Sequence, residues 1–107
     1  MPLPKGRAGE LDSKTTYQQL DSKYAHNDPS GYDVEGMSDN DKREVTAAYY
    51  AMIELIDEGV GRMVAALEET EQLKNTIVIF MSDHGEMLGD HGIYLKGPHF
   101  YEEAVRV

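Results

Sequence analysis

The sequence predicts an α/β fold in which one long helix is followed by a buried strand of the parallel type and a long loop. Three observations predict it. Apolar side chains recur at helical spacing between residues 45 and 67, residues 76–81 are apolar on both faces, and glycine and charge dominate after residue 81. The chain therefore divides into an irregular polar segment, 1–37, and a folded part, 38–107.

The first part of the chain is polar and has no periodic pattern. Residues 1–44 carry 11 apolar side chains and residues 45–107 carry 32, so the N-terminal part cannot build a sizeable core alone. An aperiodic stretch of this length is functional, lies over a larger body, or is disordered. His26 lies in it without any partner pattern, and we expect it to be solvated.

The long helix is predicted to start at Ser38, because a serine followed by acidic residues satisfies the first amide groups and the helix dipole. We expect helix over about residues 39–70. Gly59 and Gly61 interrupt it and indicate a kink or a close contact with a neighbouring backbone. One apolar stripe runs along the helix for six turns and is predicted to be core: Val45, Tyr49, Met52, Ile56, Val60, Met63 and Leu67.

The strand is predicted over residues 76–81, which are β-branched or apolar without alternation. Such a run is typical of a strand covered on both faces, and a helix linked to it forms half of a βαβ unit. The chain offers no second strand of comparable quality, so the remaining strands of the sheet would have to come from outside these residues.

Asp83 and His84 follow this strand, at the end where α/β sheets place ligands and catalytic groups. A carboxylate suits a hard cation such as Ca²⁺, Mg²⁺ or Mn²⁺, whereas an imidazole favours Mn²⁺ or Zn²⁺. Two ligands do not complete a metal site. On these residues alone, the alternative is a turn with a solvated aspartate and a half-buried histidine.

The chain resembles the sulfatase family of the alkaline-phosphatase-like superfamily. The resemblance rests on residues 82–92, on Tyr94-Leu95-Lys96-Gly97 and on residues 101–107, and it extends back through the helix to Tyr50. It implies a partial alkaline-phosphatase-like domain, the central part of a sulfatase catalytic domain. The members that it resembles most are arylsulfatases, iduronate-sulfatase-like enzymes and phosphonate monoester hydrolases, in which histidine follows the aspartate.

The resemblance implies roles for three residues in the hydrolysis of a sulfate ester. Asp83 and His84 would be metal ligands, and Lys96 would be a catalytic cation that also binds the substrate sulfate. The implied cofactor is Ca²⁺, with Mn²⁺ or Mg²⁺ as alternatives, and the implied substrate is a sulfated small molecule or glycan. For Lys96 taken singly, the common alternative is a solvated loop lysine.

Two further histidines are candidates near the same loop. His91 repeats the Asp-His-Gly pattern, so it is a substrate-binding candidate at the mouth of the site, a member of a second metal pair, or a histidine bonded to a backbone carbonyl. His99 is a catalytic candidate that could protonate the leaving group as a general acid. Its alternative is a histidine on a surface loop.

The family's nucleophile, a formylglycine made from Cys or Ser in Cys/Ser-x-Pro-x-Arg, has no counterpart. The chain has no cysteine, and none of its five serines begins that motif: Ser13, Ser22, Ser30, Ser38 and Ser82. The family's paired aspartates near its first strand are also missing. We therefore expect an internal fragment that is inactive alone and that orders only through self-association or with the rest of the enzyme.

Charge and hydropathy limit the partners. A net charge of −10 argues against nucleic acid or an anionic membrane as the main partner. The chain shows no signal peptide and no transmembrane segment; sulfatases are often periplasmic or secreted, and the compartment stays open. Two alternatives to a sulfatase fragment remain, namely a fragment of a phosphonate or phosphate monoester hydrolase, and a non-catalytic module whose long helix pairs with another chain.

Overall fold

A computed structural model describes residues 1–21, 34 and 36–107. It contains helices α1 (Thr16–Asp21), α2 (Asp39–Glu69) and α3 (Glu102–Val105), with 3-10 helices at Leu73–Asn75 and Asp90–Gly92. Contacts divide the chain into two units, one made of residues 1–46 and 82–107 and the other of residues 47–81. His26 lies outside the described residues.

Helix α2 begins with a reciprocal cap between Ser38 and Asp41. The Ser38 hydroxyl donates to Asp41 Oδ2 at 2.6 Å, and the Asp41 amide donates to Ser38 Oγ at 3.2 Å. The Ser38 amide also donates to Asp41 Oδ2 at 2.8 Å. These hydrogen bonds lower the pKa of Asp41. The predicted N-cap at Ser38 is confirmed, and the predicted range of 39–70 corresponds to α2.

The predicted buried strand is absent, and the α/β class is wrong for the described residues. Residues 76–81 have no regular secondary structure, and Ile77 is 88% exposed and Phe80 74% exposed. A strand is stabilised when its amide and carbonyl groups pair with a neighbouring strand. The described residues contain no strand at all, so this apolar run has nothing within them to pair with.

The apolar stripe of α2 is not core in this structure. Met52, Ile56 and Met63 are each more than half exposed, because none of the elements described covers them. Helix α2 continues through Gly59 and Gly61 without interruption, and among the described residues nothing beyond the adjacent backbone of the helix itself lies within 4 Å of a Cβ added at either. No helix in the part of the chain that the structure describes has both the length and the apolar character needed to span a bilayer.

The core lies in the unit made of residues 1–46 and 82–107. Met87, Ile93 and Ala104 form its centre, and Leu11 and Tyr101 pack against them. The chain turns back on itself over residues 87–95, where the amide of residue 87 donates to the carbonyl of residue 95 at 3.1 Å. This core therefore holds the loop after residue 81 against α3.

Candidate functional site

Asp83 and His84 lie on a tight turn that is fixed by local hydrogen bonds. The Ser82 hydroxyl donates to the His84 carbonyl at 2.7 Å, and the His84 amide donates to Asp83 Oδ1 at 3.1 Å. The Gly85 amide then donates to the Ala104 carbonyl at 2.9 Å. A Cβ added at Gly85 would lie 1.9 Å from a backbone carbonyl oxygen of α3, so only glycine fits this approach.

The imidazole of His84 lies between Asp83 and Lys96, the two other residues that the sequence selects as metal and sulfate ligands. Its Nε2 lies 3.6 Å from Asp83 Oδ2 and 2.5 Å from Lys96 Nζ. Its Nδ1 lies 2.8 Å from the Gly85 carbonyl, which can only accept a hydrogen bond, so Nδ1 carries the proton. The lone pair on Nε2 therefore accepts a hydrogen bond from the Lys96 ammonium.

These side chains line a cavity of about 400 Å³ whose wall also includes His99. Asp83 and Lys96 are the charged residues that line it, so their formal charges cancel. The Asp83 side chain is 86% exposed and that of His84 38% exposed, which leaves both ring and carboxylate accessible to a solute. Apolar lining comes from Phe100, Ala104 and Val105 among others.

His99 is buried, so its predicted alternative as a surface histidine is wrong. It is 7% exposed, and its ring meets Tyr17 edge-on with centroids 5.9 Å apart and lies 6.1 Å from the Tyr101 ring. Because the ring is packed yet borders the cavity, a role toward a bound ligand stays a prediction.

His91 lies apart from this cavity, although its tripeptide repeats that of His84. Its Nδ1 is 2.5 Å from Glu10 Oε1, its Nε2 is 3.6 Å from Glu103 Oε2, and its ring stacks on Tyr101 with centroids 4.3 Å apart. Within the part of the chain that the structure describes, the ring is thus bonded to a carboxylate and to no backbone carbonyl. It borders a different cavity, of about 460 Å³, beneath the N-terminal segment.

Glu10 and Tyr94 are notable residues that the sequence does not indicate. The hydrogen bond from His91, followed by the Arg7 backbone amide, lowers the pKa of Glu10. Burial, followed by the charges of Asp90 and Glu86, raises the pKa of Tyr94, whose buried hydroxyl has no hydrogen-bond partner among the described residues. No spacing rule could reveal the Glu10 contact, because 81 residues separate the two partners.

The donors at residues 83 and 84 are compatible with one divalent cation. Metal–ligand distances of roughly 2.0–2.5 Å place two neighbouring donors about 3–4 Å apart, and the observed separation is 3.6 Å. Metal-bound histidine usually donates its other N–H to a carbonyl or carboxylate, as Nδ1 does here. Within residues 1–21, 34 and 36–107, however, no three His, Asp or Glu side chains form a complete metal cluster.

Three relatives are informative. The chain is 48% identical over 65 residues to an arylsulfatase of Clostridium perfringens, covering 61% of this chain and 13% of that protein. It is 38% identical over 80 residues to a choline-sulfatase of Rhizobium meliloti, covering 75% and 15%. It is 37% identical over 103 residues to a multifunctional alkaline phosphatase superfamily protein of Trinickia caryophylli, covering 90% and 20%. No solved structure shows a significant match.

The chain therefore spans between 13% and 20% of the length of these relatives. The model of the sulfatase family matches residues 12–107 of the chain. The resemblance carried by the motifs begins at residue 50, so the family model covers more of the chain and includes α1 and most of the N-terminal segment. Together, this match and these relatives show that the chain belongs to the sulfatase family of sulfuric ester hydrolases.

Proposed function

We propose that Asp83, His84 and Lys96 form part of the divalent-cation and sulfate-binding site of a sulfuric ester hydrolase. One observation carries the proposal: Lys96 lies twelve residues beyond His84 in sequence, yet its ammonium group contacts the His84 ring at 2.5 Å. Three side chains that the family motif selects therefore converge on one cavity. A motif of solvated loop residues would have no reason to converge.

Charge explains why a cation belongs at this edge of the cavity. A sulfate ester is an anion, the charged residues that line the cavity cancel, and the whole chain carries −10. A divalent cation held by Asp83 and His84 would supply the positive charge that stabilises the negative charge spread over the transferring group. Lys96 would bind a sulfate oxygen beside it. Ca²⁺ is the proposed ion, with Mn²⁺ or Mg²⁺ as alternatives.

The site has a candidate for the general acid, His99, but no candidate for the nucleophile. His99 borders the cavity and is the candidate that would protonate the leaving oxygen. The nucleophile is a different matter, because the sequence contains neither cysteine nor a Ser-x-Pro-x-Arg motif. We therefore propose that the 107-residue chain by itself has no turnover.

We propose a substrate class that suits this site. A sulfated small molecule or glycan fits an opening that combines a cation with an ammonium group. A phosphonate or phosphate monoester is the second candidate, because one relative carries the alkaline phosphatase superfamily name and is described as multifunctional. Inorganic sulfate and inorganic phosphate, each titrated against the calcium-loaded chain while the Lys96 side-chain signal is followed, would rank the two anions.

Calorimetric titration of the chain with Ca²⁺ tests the cation role. We expect weak binding, with a Kd on the order of a millimolar, because two protein ligands leave most of the coordination shell to water. Asp83→Ala should abolish it. Asp57→Ala, which removes an exposed carboxylate from α2, is the matched control and should leave it unchanged.

A second readout comes from the two Asp-His-Gly tripeptides. Mn²⁺ should broaden the imidazole signals of His84 and spare those of His91, whose ring already bonds to Glu10. Equal Ca²⁺ affinity in wild type and Asp83→Ala would contradict the proposal. It would favour the non-catalytic helical module instead.

A further inference from the structure

We propose that Lys96 occupies the metal-binding lone pair of His84 when no cation is bound, and that an entering cation displaces it. This inference rests on the proposed function of the same site. It adds an order of events: the Lys96 ammonium is released toward the cavity only after the cation has bound.

The first step concerns which ring nitrogen is available. The Gly85 carbonyl oxygen lies 2.8 Å from His84 Nδ1 and accepts a hydrogen bond from it. Nδ1 therefore carries the proton, and Nε2 is the nitrogen with a lone pair. Nε2 is also the nitrogen that lies 3.6 Å from Asp83 Oδ2, the separation expected for two donors on one cation. A cation held by both residues must therefore bind Nε2.

The second step concerns the partner that Nε2 has in this structure. Lys96 Nζ lies 2.5 Å from Nε2 and donates to it. One lone pair serves one partner, so the ammonium and the cation exclude each other there. They also repel, because a cation bound to Nε2 would carry two positive charges within a few ångströms of the ammonium.

The third step concerns where Lys96 goes. Lys96 is exposed, and it lines the cavity of about 400 Å³ together with Asp83 and His99. Once displaced, the ammonium has three donors free for an anion in that cavity. Cation binding and anion capture are then coupled through a single side chain.

Calorimetry with Ca²⁺ on the full chain tests the displacement. Lys96→Met should tighten Ca²⁺ binding roughly tenfold, the scale of one ammonium–dication repulsion at a solvent-exposed site. Lys74→Met is the matched control: it removes the same charge from the unit of residues 47–81, which lacks the site, and should not change the affinity. Nitrogen NMR adds a signature, since the His84 Nε2 and Lys96 Nζ signals should shift together during the wild-type titration.

The outcomes separate this inference from the proposed function. If Ca²⁺ binds at Asp83 but Lys96→Met leaves its affinity unchanged or weaker, the displacement is overturned and the cation role stands. If neither wild type nor Lys96→Met binds Ca²⁺ in the millimolar range, both are overturned. A tighter Lys96→Met complex with unchanged Lys74→Met, and Lys96 Nζ moving with His84 Nε2, supports the displacement.

Discussion

His91 is held between carboxylates from two distant parts of the chain, and this contact ties the N-terminal segment to the loop. Glu10 lies 2.5 Å from one ring nitrogen, and Glu103 lies 3.6 Å from the other. The backbone strengthens the tie, because the His91 amide donates to the Lys5 carbonyl at 2.7 Å and the Lys5 amide donates to Asp90 Oδ1 at 2.6 Å. The second Asp-His-Gly tripeptide therefore forms its polar contacts within the chain.

This contact makes the N-terminal segment sensitive to acid. The pKa of Glu10 is lowered from its ordinary value of 4.5, so its contribution to stability is fully present above that value and is lost as pH falls through the lowered one. We expect amide NMR signals of residues 5–12 to move toward unfolded positions as the pH falls below 4.5. In Glu10→Gln, the amide signals of residues 5–12 should already be shifted toward unfolded positions at pH 7.

Glu54→Gln, on the exposed surface of α2, is the control and should keep the wild-type profile. Identical acid transitions in wild type and Glu10→Gln would show that another group governs the segment.

At this scale the sequence identifies side chains that lie close together where the motif is local, while their roles stay predictions. The neighbours Asp83 and His84 and the lysine twelve residues later follow from a motif, and the structure brings them into contact. The different setting of His91 does not follow, because Glu10 is 81 residues away and lies in a segment without pattern. Identical tripeptides are distinguished only by partners that sequence spacing does not encode.

Helix α2 is the element whose prediction was most direct. Its start depends on contacts within four residues, where Ser38 and Asp41 exchange hydrogen bonds, and its length follows from a stripe repeated over six turns. Local rules suffice for both. They do not determine what covers the stripe, which is why Met52 and Met63 are exposed despite their core-like spacing.

Gly61 gives an element-scale prediction. A Cβ at this position meets nothing within 4 Å among the described residues, so Gly61→Ala should stabilise α2 in the isolated chain by about 1 kcal/mol. Circular dichroism at 222 nm should show more helix and a higher melting midpoint. Ala65→Gly, at an exposed position on the same helix, should change both in the opposite direction.

A loss of helix in Gly61→Ala would indicate that another surface packs closely against this glycine in solution. That result would revive the neighbouring-backbone interpretation of the glycine pair.

The strand failed as a prediction because it depends on partners and not on its own residues. Residues 76–81 have the composition of a doubly covered strand, yet a strand is a property of a sheet. The described residues supply no strand to pair with it, and five consecutive side chains are left in solvent, with exposures from 52% at Val78 to 88% at Ile77.

At the scale of the whole molecule, buried apolar surface is concentrated in one of the two units. The unit of residues 1–46 and 82–107 contains the cluster of Met87, Ile93 and Ala104, whereas the unit of residues 47–81 has no buried side chain among its apolar residues. An exposed run of this kind is an established hazard for association. We therefore propose that the isolated chain self-associates.

Sedimentation velocity tests this. Wild type should show species larger than 12.0 kDa that grow with concentration, and the double variant Ile77→Ser/Ile79→Ser should shift the distribution toward monomer. Leu20→Ser/Val107→Ser removes two exposed apolar side chains outside that run and serves as the control. A monomeric wild type at all concentrations would contradict the proposal.

The exposed apolar run at residues 77–81 also affects how quickly the free chain would be degraded in a cell. Chaperones and proteases act on backbone that is irregular, accessible and apolar, and this stretch has all three properties without any unfolding step. Turnover of the free polypeptide would then depend on how soon another surface shields these five side chains.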